Sequence, residues 1–333
     1  MEKVFVYVLN KRGKPLMPCS PGKARRLLKQ GKASVVNRIP FIIQLKTATG
    51  ETKQPVNLGV DSGYKYIGLS AVTEKQEVFR AEVKLRDDIV KLNSERRQYR
   101  RTRRNRKTWY RPKRFLNRKK CAGWLAPAIE HKFDSHIRII NKIKTFLPIT
   151  NERIEVANFD IQKIKNPDIS GTDYQNGEQK DFWNTREYVF YRDNHTCQNC
   201  KGKSKDNILE VHHMVSRQVG GNRPDNLITL CSACHSKVSS GSLKLKTVPS
   251  KEFKAESFMS MVRWKLVNKL REQGNIVSHT YGYITKSKRI EQSLPKSHAN
   301  DAFIIAGGNG QNISKGYIIR QNRRNNRRYK FHV

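Results

Sequence analysis

Acidic residues are scarce in this chain. Its 333 residues include 28 Asp and Glu against 67 Lys and Arg, a formal net charge of +39. Such a chain repels itself unless a polyanion neutralises it, and nucleic acid is the expected partner. Apolar residues are also sparse, at 36%. Any cores are therefore modest, and a chain of this length is expected to divide into two or three domains. No run of about 18 apolar residues and no amphipathic anchor is seen, which argues against a membrane. The apolar run Val4 to Leu9 is too short for a secretory core, and no cleavage site follows it. The expected location is cytoplasmic, in a prokaryote, at the nucleoid. Cysteine is limited to six residues, four of them in Cys-x-x-Cys spacing. That excludes a disulfide framework and indicates a metal in a reducing compartment. Cys19 and Cys121 read as lone thiols, and internal repeats are absent.

What is present falls into segments. Residues 1–52 alternate apolar and basic stretches and predict a strand–helix–strand module with a basic helix over Pro21 to Gln30. Val56–Val60, Tyr66–Val72 and Val78–Leu85 predict three consecutive strands, with turns at Gly63 and at Thr73–Gln76. Residues 86–127 hold a charge block. From Arg96 to Lys120, 14 of 25 residues are Lys or Arg and none is acidic. Such a run does not fold alone, and a nucleic-acid backbone would order it as a helix. Arg96, Arg97, Arg100, Arg101, Arg103, Arg104, Arg106, Arg111 and Arg114 are its candidate phosphate contacts. Residues 128–147 predict a helix and 153–160 a strand. A polar linker over 166–185 leads into a cysteine-rich module at about 186–245. A helix with Met259, Val262, Leu266, Val267 and Leu270 on one face follows. Ile276–Ile284 then predicts a strand and Lys296–Gly307 a last helix, before a basic tail over 311–333.

The cysteine-rich module carries the densest chemistry. Cys197 and Cys200 form one knuckle, Cys231 and Cys234 the other, and 30 residues separate them. A tetrahedral structural Zn²⁺ held by four thiolates fits this spacing and would pin a fold with little core. By themselves the knuckles leave a binding-only zinc ribbon open. Between them lies Val211-His212-His213, and His235 follows the second knuckle. Adjacent strand residues face opposite sides, so one histidine can ligate a metal while the other faces a substrate. Over about 60 residues this segment resembles the HNH endonucleases. The resemblance implies that His213 is a general base, that His212 and His235 ligate a catalytic Mg²⁺, and that Asn226 orients His213. Many relatives carry Asp and Asn where this chain has His212 and His235. The softer imidazoles imply tolerance of Mn²⁺, Co²⁺ or Ni²⁺.

Carboxylates flank the module. Asp61 ends the first predicted strand of its group, Glu155 lies on the later strand with Asp160 as a rival, and Asp301 follows His298 by three residues. Each has an ordinary reading alone: a turn cap, a solvated strand residue, a helix N-terminal polar pair. Together, in the order three strands, helix, strand, strand, helix, they match an RNase H-like α/β fold with carboxylates gathered around two metals. The whole chain resembles IscB, the transposon-encoded RNA-guided nucleases related to the large CRISPR effectors. Lys14-Pro-Leu-Met-Pro18, Gly59-Val-Asp-Ser-Gly63, the arginine-rich segment, Glu155 to Gln162, Asn166 to Gly171, the HNH module and Lys296 to Phe303 carry the likeness.

The resemblance implies an RNase H-like RuvC core split in three (53–85, 128–165, 251–310), with an arginine-rich bridge helix at 86–127. The zinc-stapled ββα HNH module is inserted at 166–250. Asp61, Glu155 and Asp301 would hold Mg²⁺, with His298 activating water or ligating. A long guide RNA, one protein chain per RNA, would pair with one strand of double-stranded DNA. HNH would cut that strand, and RuvC the displaced one. Members often carry a further C-terminal domain that reads a short motif beside the target, whereas this sequence ends about 25 residues after the last helix. The alternatives are an unguided HNH homing or restriction nuclease and a non-enzymatic RNA-binding protein.

Overall fold

A computed structural model describes residues 4–106, 121–157, 179, 182–217, 222–245, 254–321 and 329–332. Arg111, Arg114, Asp160 and the motif at 166–171 lie outside the described residues. The fold is mixed α/β with three sheets. It divides into two compact units, Met1–Phe159 with Lys254–Val333, and Asp160–Phe253. Among the described residues no helix is long and apolar enough to cross a membrane.

The first unit begins with β1 (Val6–Leu9), β2 (Pro15–Cys19), α1 (Pro21–Lys29), β3 (Ala33–Asn37) and β4 (Ile42–Leu45). They build a four-stranded sheet in the order β2-β1-β4-β3. The sequence predicts a strand–helix–strand module here, with fewer strands, and two prolines lie on one of the strands it missed. Both fall on β2, an edge strand, where a missing N–H costs no central ladder bond. Ser20 caps α1 by accepting from the Lys23 N–H (3.4 Å), and Pro21 sits in its first turn. Alternation along β1 divides its side chains: Val6 and Val8 pack into this small sheet's own core, Tyr7 and Leu9 into the main core.

The main sheet has seven strands. Next in the chain come β5 (Asn57–Ser62), β6 (Tyr66–Val72), β7 (Glu77–Lys84), α2 (Ile89–Arg106), α3 (Pro127–Lys144) and β8 (Asn151–Glu155). β5, β6 and β7 form an antiparallel meander, and β8 pairs parallel to β5. Leu58, Val60, Ile67 and Leu69 are fully buried, in one core with Phe133, Ile139, Ile140 and Ile143 of α3. The arginine-rich α2 buries none of its residues.

The second unit contains α4 (Thr185–Arg192), β9 (Leu209–His213), β10 (Leu227–Cys231) and α5 (Ser232–Ser239). β9 and β10 pair antiparallel, with His213 opposite Leu227 and His212 opposite Ile228. This is a small ββα unit whose buried cluster is largely Cys197, Ile228, Leu230, Cys231 and Cys234.

The chain then returns to the first unit with α6 (Lys254–Glu272), β11 (Ile276–Thr280), α7 (Gly282–Glu291), α8 (His298–Ile305), β12 (Tyr317–Gln321) and β13 (Tyr329–His332). β11 pairs parallel to β8, and the sheet order is β11-β8-β5-β6-β7-β12-β13. Met259, Val262, Leu266, Val267 and Leu270 of α6 are buried as their spacing predicts. α8 covers the opposite face of β5 and β6, seated on two glycines. A Cβ at Gly59 would lie 2.1 Å from the Ala302 oxygen, and one at Gly68 would lie 1.8 Å from the His298 oxygen.

Candidate functional site

Strand alternation explains how the first site forms. Leu58 and Val60 point into the core, so Gly59 and Asp61 point toward α8. Gly68 lies opposite Asp61 in the β5–β6 register. With no side chain at 68, the first turn of α8 settles directly beside Asp61. Ser297 caps α8 by accepting from the Asn300 N–H (3.1 Å). The His298 Nδ1–H then donates to Asp61 Oδ2 at 2.7 Å, and the ring stacks on Tyr66, with centroids 5.5 Å apart.

Asp61, Glu155, His298 and Asp301 all line one cavity of about 510 Å³, joined by Glu256, Thr285, Lys286, Arg289 and Lys296. The cavity gathers four stretches that are far apart in sequence. Its electrostatics follow from crowded carboxylates. Burial, then the nearby Asp61 charge, pushes Glu155 up to about 7, against a smaller lowering by Thr285. Burial and Asp61 also raise Asp301, against the pull of Arg289, whose Nε stands 2.8 Å from Asp301 Oδ1 in an ion pair. The Asp61 hydrogen bond raises His298. Arg289, Thr285 and Lys286 carried no signal in the sequence, whereas Lys296 opens the stretch that holds His298 and Asp301. The predicted strand Ile276–Ile284 in fact ends at Thr280, and α7 starts at Gly282 to deliver the first three.

In the second unit the four Sγ atoms of Cys197, Cys200, Cys231 and Cys234 lie within 4.8 Å of one another, the only such cluster of possible metal ligands among the described residues. Cys200 and Cys231 are 3.8 Å apart. That is the edge of a tetrahedron with Zn–S of about 2.3 Å, and far beyond a disulfide at about 2.05 Å. Ser204 pulls Cys200 down to about 6. Asn199 donates to Cys234, yet burial and the neighbouring thiols outweigh it and push that group up to about 12. The site therefore fits a structural zinc ion. Asp206, unremarked in the sequence, pins the module by accepting from the Ile208 and Ala233 N–H groups at 3.0 and 2.9 Å.

The histidines divide as strand geometry requires. The rings of His212 and His235 meet, with centroids 5.0 Å apart. His235 Nδ1 pairs with Glu210, which shares the His212 face of β9. Burial and then the nearby His235 lower the His212 pKa and keep that ring neutral, as a metal ligand must be. His213 faces away, and its Nε2 meets Asn222 Oδ1 at 3.1 Å. Asn226 is fully buried and works on the backbone: its amide both accepts from and donates to Val215, each at 2.8 Å. It fixes the chain just past the histidine pair, while Asn222 meets the ring. Neither Glu210 nor Asn222 was legible, since both depend on the register of β9.

Comparison with known proteins agrees with this geometry. Residues 6–177 match the family described as RRXRR protein. The chain belongs to that family. Residues 197–241 match HNH endonuclease, so the cysteine module is an HNH endonuclease domain. No curated protein matches. Crystal structures of Streptococcus thermophilus Cas9 in complex with the AGAA PAM and with the AGGA PAM each align at 15% identity and a TM-score of 0.36. The alignment covers 54% of this chain and 26% of the Cas9 chain. A third, with the GGAA PAM, aligns at 16% identity and a TM-score of 0.32. The chain thus spans about a quarter of the length of these relatives.

Proposed function

We propose that this protein is an RNA-guided DNA endonuclease of the IscB type with two hydrolytic sites. The observation that carries the reading is that one chain holds both an HNH domain and a separate cavity where Asp61, Glu155, Asp301 and His298 converge. In this reading the seven-stranded sheet is a RuvC core split over 53–85, 128–165 and 251–310, and α2 is the bridge helix. Residues 1–52 form the N-terminal basic module, 166–250 the HNH insertion and 311–333 the basic tail. α2 supports a polyanion partner: it exposes Arg96, Arg97, Arg100, Arg101, Arg103, Arg104 and Arg106 and buries no residue. A guide RNA and double-stranded DNA are the partners, and each site cuts one strand.

In the HNH domain His213 is the base. A ring that donates from Nε2 to Asn222 keeps Nδ1 free to take the proton from water. His212 and His235 would hold Mg²⁺ or Mn²⁺, with Glu210 orienting His235. In the cavity, Asp61, Glu155 and Asp301 would hold hard divalent cations, whose charge relieves the repulsion that raises Glu155. Such a metal supplies Lewis-acid stabilisation of charge on the phosphate oxygens. His298, ordered by Asp61, sits beside the carboxylates as a proton acceptor for water.

The test is strand-specific. The protein is purified with RNA from its own locus, and a matched supercoiled plasmid is added. His213→Ala and Asp61→Ala should each nick, in opposite strands, and the double variant should bind without cutting. Loss of both cuts in either single variant would refute two independent sites. Cutting without any co-purified RNA would favour the unguided HNH nuclease.

A further inference from the structure

An uninterrupted row of aromatic rings runs along the exposed edge of the main sheet toward the carboxylate cavity. It starts at Trp264 on α6, continues at His279 on the edge strand β11 and at Tyr281, and ends at Tyr283 in the first turn of α7. Successive centroids are 5.1, 5.6 and 6.1 Å apart; the first two contacts are edge to face, at 74° and 85°, and the two tyrosine rings are nearly parallel, at 11°. His279 shares the face of β11 that carries Val277, and Tyr281 follows as the N-cap residue of α7. None of the four is buried, and Tyr283 is 71% exposed. Trp264 and Tyr281 are less open, at 41% and 37%, and none of the four belongs to the buried core cluster.

Their position supplies a role. Tyr281 and Tyr283 flank Gly282, which lines the cavity, and a Cβ there would stand 3.1 Å from Glu155 Oε1. Lys286 and Arg289, one and two turns further along α7, line the same cavity. Aromatic faces beside cations that lead to a carboxylate site match a single polynucleotide strand. The rings take the bases and the cations take the phosphates.

We propose that Trp264, His279, Tyr281 and Tyr283 form a base-stacking path that leads single-stranded nucleic acid into the carboxylate cavity. The path extends the nuclease reading of that cavity, but its binding can be measured without any cleavage.

The experiment uses the full chain and two labelled probes of equal length, oligo(dT) and an oligomer of abasic sites. Affinities are read by fluorescence anisotropy over a range of salt. The wild-type chain should prefer oligo(dT). Tyr281→Leu with Tyr283→Leu should weaken oligo(dT) binding about ten-fold or more, and Tyr281→Phe with Tyr283→Phe should restore it. The abasic probe should bind all three proteins alike, and the salt slope should not change, because no phosphate contact is lost. Equal oligo(dT) affinity in the wild-type and double-Leu proteins would overturn the path, as would equal wild-type affinity for the two probes. Cleavage by Asp61→Ala separates the two readings. If that variant still cuts both strands while the Leu pair loses affinity, the nuclease assignment of the cavity fails and the path stands. If Asp61→Ala loses one cut while the Leu pair binds normally, the path alone fails.

Discussion

Substituting Gly68 with Ala tests how the carboxylate cavity is built. The new Cβ would lie 1.8 Å from the His298 oxygen and 2.4 Å from its carbonyl carbon, whereas ordinary contact begins at 3.4 Å. The first turn of α8 must therefore retreat by 3.4 − 1.8 = 1.6 Å at this point. The obstructing atoms are backbone, so no side chain can swing aside. Overpacking of this kind costs about 1–3 kcal/mol, and backbone obstruction places it near the upper end. Replacing glycine inside a strand returns about 0.5–1 kcal/mol of chain entropy. The net loss of about 2 kcal/mol corresponds to a fall in Tm of about 4–8 °C for a unit of this size. The larger effect is chemical. His298 is the first residue of α8, and its 2.7 Å bond to Asp61 does not survive such a retreat. A misplacement of about 1 Å at a reacting centre costs roughly 100-fold in rate. Thermal unfolding and strand-resolved nicking read the two effects, and Gly59→Ala should act in the same direction. Gly22→Ala is the control, since a Cβ there meets nothing within 4 Å. If Gly68→Ala matched Gly22→Ala in both Tm and strand-specific cleavage, the seating of α8 on the two glycines would not be what builds the site.

Two further outcomes follow from other parts of the molecule. Metal analysis should find about one zinc per chain, lost in Cys200→Ser together with the cut assigned to His213, while the cut assigned to Asp61 persists; retention of zinc would remove the four-thiolate assignment. His136 is fully buried and donates from Nδ1 to the Lys132 oxygen at 2.8 Å, and burial pushes its pKa down to about 4 from 6.5. Its folded-state pKa is depressed, so its contribution is complete above pH 6.5 and is lost as pH falls toward 4, by about 3 kcal/mol. Stability measured over that window in wild type and in His136→Asn should show the steeper acid loss in the wild type, and parallel curves would refute the assignment.

The elements most legible in the sequence were those whose signal is local. β5, β6 and β7 show apolar stretches bounded by turns, and the structure places them over 57–84. Met259 to Leu270 repeat at helical spacing and are buried. The two knuckles are read from spacing alone, and their sulfur atoms converge. Tertiary features were not legible. Tyr283, Ile284 and Thr285 favour a strand, yet they open α7, because Thr285 is buried and its hydroxyl reaches Glu155. Glu210 looked like any strand carboxylate until His235 came to it. Asn226 was expected to orient His213; its amide bonds the Val215 backbone just past the histidine pair, a contact that sequence alone does not show.

The charge arrangement in the cavity explains why its carboxylates can be brought together without unfolding the sheet edge. Asp61 is met by His298 and Asp301 by Arg289, so of Asp61, Glu155 and Asp301 two have a basic side chain at hydrogen-bond distance. Among the described residues no salt bridge reaches Glu155, and its pKa is the one that rises furthest, to about 7. The imbalance follows from position. Asp61 and Asp301 stand where α7 and α8 bring their cations. Glu155 ends β8, with Gly282 against it and only a hydroxyl on the near turn of α7. Burial first, and then repulsion from Asp61 and Asp301, favour its neutral form.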